Sequence, residues 1–247
     1  NLTQALSMSL NTVAARLAYE VGAKKVIHTA KRLGVSSELK PNLSISLGTS
    51  EVTPLEIAGA YVPFSNGGYG VLPHIIRRIR TVDGKLLYSR KGDGPGRVMD
   101  RRHVGQMNRM MSETLMTGTG KKAQLADYRP AGGKTGTSQD FRDAWFIGYT
   151  GNLTTAVWLG NDDNSPTKKA TGGSLPATVW KETMERSHKD IPVANLPGVP
   201  DAPVRVAAPV AKSPKPPANV GGGADHQDPA EEKRRGPLNL LKSLFGG

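Results

Sequence analysis

The sequence predicts an α+β domain, an antiparallel sheet flanked by helices, and three observations predict it. Apolar residues recur at helical spacing from residue 13. A run of alternating apolar positions with tight turns follows from residue 131 to about 160. Another helical pattern closes the patterned region near residue 187. Helices, then strands, then a helix is the order of an α+β domain with helices packed on an antiparallel sheet.

Val13, Ala14, Leu17, Ala18 and Val21 define one helix, and Val26, Ile27, Ala30 and Leu33 a second, which Gly34 ends as a C-cap. Thr53 to Glu56 reads "TPLE", a capping box with proline at the first helical position, and "NGG" after Ser65 closes that helix. "IIRRIRTVDGKLLYSR" predicts two strands about the Asp83-Gly84 turn. Val104, Met107, Met111 and Leu115 make the apolar stripe of a further helix, its methionines filling core space. Ala144, Phe146 and Gly148 alternate with Trp145, Ile147 and Tyr149, and a Gly151-Asn152 turn leads into "LTTAVWLG". Pro176 starts the last helix, which has Ala177, Trp180 and Met184 on one face.

Composition bounds the rest. A hydrophobic content of 37% suffices for a core in residues 1–190. Ten of the 18 prolines fall after residue 190, beside "GGG" and "EEKRR", so 191–247 is expected to be a disordered tail. At its end Leu238, Leu241, Leu244 and Phe245 could line two helical turns, read as a frayed terminus before a docking peptide. The net charge of +12 suits anionic surroundings without choosing among them. Without cysteine there is no disulfide, thiolate metal site or thiol nucleophile. No apolar run reaches the length of a spanning helix, so any membrane anchor is expected outside this chain.

Gly133, Lys134 and Thr135 match the second half of a phosphate-binding loop, but Tyr128 stands where the first glycine belongs and a strand follows instead of a helix. "KTGT" on a strand edge suggests different chemistry. Gly136 lets an extended peptide approach and pair with the backbone, and Thr135 and Thr137 can hydrogen-bond its terminal carboxylate. Lys134 would supply positive field and a proton route, while the Thr137 N–H points at a developing oxyanion. An ordinary edge strand with a protective charge is the plainer reading. Ser9 and Asn11 are two apart and share a site only if the helix breaks between them; otherwise Asn11 is a cap and Ser9 a loop hydroxyl.

"SLN" precedes "KTGT" by more than a hundred residues, and "SLNTVAARLAYEVG", "LGTSEVTPLEIAGAYVPFSNGG", "MTGTGKKA", "GGKTGTSQDFRDAWFIGYT" and "TGGSLPATVW" occur in order. Together they resemble the transpeptidase domain of class A penicillin-binding proteins over nearly all of residues 1–190. The resemblance implies a penicillin-binding, serine β-lactamase-like fold, N-terminally incomplete here, and a D,D-transpeptidase at the periplasmic face of a bacterial inner membrane. It implies peptidoglycan stem peptides as donor and amine acceptor, covalent inhibition by β-lactams, and no cofactor, metal or nucleic acid. Ser9 would pass a proton to the leaving amine, Asn11 would hold the substrate amide, and Lys134 would bind carboxylate and share in proton transfer. Thr135, Gly136 and Thr137 would bind substrate, with the Thr137 N–H half of the oxyanion hole. Asp143 and residues 171–174 match family wording without an assigned role.

The family's nucleophilic serine and base lysine belong on a core helix upstream of "SLN", and are expected outside this chain, leaving the fragment alone inactive. Two S-x-x-K strings read as coincidences: Lys40 precedes Pro41, which disfavours a helix there, and Pro166 interrupts Ser165 and Lys168. A D,D-carboxypeptidase or β-lactamase would share the pocket and pass the acyl group to water. A basic anion- or nucleic-acid-binding module is the reading of another class, weakened by 5% aromatics.

Overall fold

A computed structural model describes residues 1–92 and 94–199. Helices α1 (Leu2–Ser7), α2 (Asn11–Val21), α3 (Ala23–Leu33) and α4 (Pro54–Asn66) come first. A hairpin of β1 (Arg78–Arg80) and β2 (Leu86–Ser89) leads to α5 (Arg101–Met116). Strands β3 (Ala131–Thr137), β4 (Asp143–Thr150) and β5 (Thr154–Gly160) form an antiparallel sheet in that order, and α6 (Leu175–Ser187) follows. The predicted α+β class is the one observed.

Local chemistry sets the boundaries. Gly34 caps α3 in the left-handed region, and Thr53 and Glu56 close the capping box on α4. Glu56 does more than cap. Its carboxylate also accepts from the backbone N–H and hydroxyl of both Ser36 and Ser37, so one side chain ties the loop after α3 to the start of α4. Those hydroxyls hold its pKa far below the carboxylate range.

β4 is buried on both faces along its second half, so its alternation is between two cores instead of core and solvent. Phe146 meets Trp180 and Met184 of α6 on one side, with the rings 5.1 Å apart. On the other, Tyr149 meets Phe64 of α4 and Met111 of α5. The stripe predicted for α5 is observed at Val104, Met111 and Leu115, with Asn108 buried among them.

Three expectations change. α1 was not foreseen, since six residues carry less than two turns of apolar spacing. Asn11 is the first helical residue of α2 and not its cap; Leu10 holds the cap position without a side-chain bond. Residues 191–199, assigned to the tail, lie against the body: Leu196 is 2% exposed in the Phe64, Met111 and Tyr149 core, and Asn108 Nδ2 donates to Pro197 O at 2.9 Å. Apolar Leu196 offsets the ordering entropy that proline and glycine content alone suggested was unmet. The rest of the expected tail, including Leu238 to Phe245, is outside the described residues.

Candidate active site

The free edge of β3 and the α1–α2 break enclose one side of a cavity of about 1530 Å³, which α4 and the 45–52 loop complete. α1 stops because Ser9 turns left-handed at φ 56°. Leu10 N–H then reaches Ala5 O at 2.9 Å and Ser9 N–H reaches Leu6 O at 3.0 Å, a Schellman pair with serine where glycine is usual. The break puts Ser9 Oγ beside the strand, 2.8 Å from Lys134 Nζ across 125 residues of chain.

Lys134 Nζ also donates to Thr135 O at 3.1 Å and lies 3.5 Å from Thr135 Oγ1. No carboxylate pairs with it among the described residues, and burial pulls its pKa down to about 8. An amine so placed is still mainly a donor at neutral pH, but gives up its proton far more readily than an exposed lysine.

Ser138 N–H bonds Asp143 O at 3.0 Å, which fixes the alternation of the β3–β4 ladder. Gly136 therefore exchanges bonds with Trp145, while the N–H and C=O of Thr135 and Thr137 point away from β4 into the open edge. The Lys134 bond to Thr135 O follows from this direction. Gly136 adds no side chain over Trp145, whose indole lies 6.1 Å from that of Trp158. Trp158 Nε1 in turn donates to Asp143 Oδ1 at 2.9 Å, so Asp143 orients an aromatic floor.

Ser9, Asn11, Lys134, Thr135, Gly136 and Thr137 thus all line one cavity. Asn11 is exposed there and makes no described side-chain hydrogen bond. Sequence reasoning missed two supports. Thr119 Oγ1 shares a 2.6 Å hydrogen bond with Thr135 Oγ1, and Gly172 N–H donates to Thr137 Oγ1 at 3.0 Å. The phrases "MTGTG" and "TGGS" set glycines beside hydroxyl residues, which marks close backbone approach without saying to what.

The S-x-x-K strings stay apart from this site. Ser37 Oγ donates to Glu56 Oε2 at 2.6 Å, Ser165 Oγ accepts from Asn161 Nδ2 at 3.0 Å, and neither segment is helical. Lys134 sits within a strand, which closes the phosphate-loop reading.

A sheet edge that offers outward N–H groups, flanking hydroxyls and a serine-bonded lysine has the donors to pair with an extended chain and to meet an anionic oxygen. The chain belongs to the penicillin-binding protein transpeptidase domain family, whose model matches residues 1–185. It is 36% identical over 189 residues to penicillin-binding protein 1A of Neisseria meningitidis, covering 74% of this chain and 24% of that protein. With penicillin-binding protein 1A of Pseudomonas aeruginosa it shares 31% identity over 252 residues, covering 80% and 31%. The chain therefore spans about a quarter to a third of these relatives. PonA1 of Mycobacterium tuberculosis, solved in complex with penicillin V, superposes with a TM-score of 0.74 at 27% identity over 81% of this chain and 60% of that one. Among the described residues no helix is long and apolar enough to cross a membrane.

Proposed function

We propose that this chain supplies the carboxylate-binding and proton-shuttling half of a peptidoglycan D,D-transpeptidase site, at the periplasmic face of the inner membrane. The observation that carries the reading is the 2.8 Å bond from Lys134 Nζ to Ser9 Oγ, made where the outward Thr137 N–H leaves room for a substrate strand. A stem peptide lies along β3 as an added strand and places its terminal carboxylate at Thr135, Thr137 and Lys134. Its scissile carbonyl then faces the Thr137 N–H, which stabilises the oxyanion. Lys134 and Ser9 relay a proton to the leaving amine, and Asn11, whose side chain makes no hydrogen bond among the described residues, holds the substrate amide.

The acylated serine and its base lie outside these 247 residues in this reading, because Ser37 and Ser165 are committed elsewhere. β-Lactams enter as covalent substrate mimics of the completed site. Intact-mass spectrometry after penicillin treatment tests this on the 247-residue chain and on one extended upstream through the family's nucleophile helix. An adduct on the extended protein alone supports the reading. An adduct on Ser37 or Ser165 of the shorter chain overturns the assignment, and no adduct on either folded protein overturns the function. Acyl transfer to water instead of an amine would identify the hydrolase alternative.

A further inference from the structure

The arm between residues 69 and 92 takes no part in the cleft. Its base is tied by the Tyr69–Arg97 bridge and by Arg97 lying 4.4 Å over the Tyr69 ring. Beyond it β1 and β2 form a separate two-stranded sheet in which every strand residue is exposed. Such a sheet is marginal until a third strand or a packed surface covers it. Ile75 is 98% exposed and Leu87 60%, with Ile79 and Tyr88 exposed as a cross-strand pair.

Charge is as unbalanced as packing. Residues 74–92 carry Arg77, Arg78, Arg80, Lys85, Arg90 and Lys91 against Asp83 alone. None of these cations makes an ion pair among the described residues. The ladder also leaves backbone groups open: Arg90 N–H bonds Arg77 O and Ile79 faces Tyr88, so the N–H and C=O of Arg78 point out of the β1 edge.

We propose that the β1 edge docks an extended segment of a partner protein in which acidic and apolar residues alternate. Added as a third strand, the segment satisfies Arg78's backbone, sets its carboxylates near the Arg78 and Arg80 guanidiniums and covers Ile79. A lipid surface fits less well, since open strand edges leave polar groups unsatisfied in hydrocarbon. Nucleic acid would find few rings to stack on, Tyr88 on the hairpin and Tyr69 at its base already covered by Arg97.

The probe is a labelled peptide of about nine residues alternating glutamate and valine, with a version N-methylated at alternate amides, and phosphatidylglycerol vesicles for comparison. Fluorescence anisotropy with the full 247-residue chain should detect the plain peptide and not the methylated one. The R78E variant should weaken binding about tenfold with unchanged circular dichroism and melting, since its side chain is exposed, whereas Arg80 also donates to Gly84 O across the turn and is left in place. Amide exchange at residues 77–80 should slow when the peptide binds. Equal binding of the methylated peptide, no binding, or capture by vesicles in place of peptide would each overturn the proposal. Penicillin acylation is read separately, so failure here leaves the transpeptidase reading untouched.

Discussion

Ser9 holds φ at 56°, a conformation that costs a non-glycine residue roughly 1 kcal/mol or more. The hydroxyl that results, 2.8 Å from Lys134 Nζ, is what glycine could not offer. Ser9→Gly should therefore be as stable as the parent chain or more stable, and Ser9→Ala less stable than Ser9→Gly by about 1 kcal/mol. Urea unfolding measures both, and a less stable glycine variant would remove strain from the argument. Lys134 carries the second prediction. Its pKa falls from 10.5 unfolded to about 8 folded, so between those values the unfolded chain binds more protons and stability rises with pH. The destabilisation is fully present below about pH 8 and gone above about 10.5. Comparing denaturation midpoints of the parent chain and Lys134→Met across pH 7 to 10 checks it: the difference between them should shift through that window. The lysine and serine were legible because their motifs keep a fixed order. The Thr119–Thr135 hydroxyl bond was not, since it joins a turn to a strand and obeys no periodicity.

Elements with a local stop signal were legible to the residue: the α4 capping box, Gly34 after α3, and the turn between β4 and β5 all stand where their sequence places them. The loop after β5 had no such signal. Its Thr171 and Ser174 close on each other through a 2.9 Å bond, and Gly172 lies so close to the sheet that an added Cβ would fall 2.2 Å from Trp145 O and 2.5 Å from Gly136 O. That approach brings Gly172 N–H to Thr137 Oγ1 and fixes the hydroxyl at the end of β3. Gly172→Ala must lift the loop off two backbone carbonyls. We expect it to leave the fold intact and to slow penicillin acylation of the upstream-extended protein about tenfold or more, with circular dichroism as the control. Acylation at the parent rate would mean the loop does not position Thr137. By contrast Thr119→Val removes one hydroxyl without moving backbone, and its effect should be smaller.

At the scale of the molecule, α5 is the hub that sequence periodicity only half disclosed. Its stripe predicted a core face, but Asn108, polar and placed within that stripe, is fully buried. Asn108 Oδ1 accepts from Tyr149 OH at 2.7 Å, and its Nδ2 donates to Phe64 O at 3.0 Å and Pro197 O at 2.9 Å. One amide thus joins α4, the sheet and the segment after α6. That segment crosses α5 at Gly105, where the Gly198 Cα would lie 3.0 Å from any added Cβ. Composition could not find this seat, because proline and glycine counts average over a stretch in which one leucine and one carbonyl do the holding. A chain ended after residue 190 loses the burial of Leu196 and one acceptor of Asn108, together about 2 to 4 kcal/mol. It should unfold at clearly lower urea than a chain ended after 199, and Leu196→Ala in the longer chain should reproduce most of that loss. Equal midpoints for the two lengths would show that 191–199 only rests on the surface. A large loss in the short chain would instead make the segment after α6 part of the support for Tyr149, and through β4 for the strand that carries Lys134.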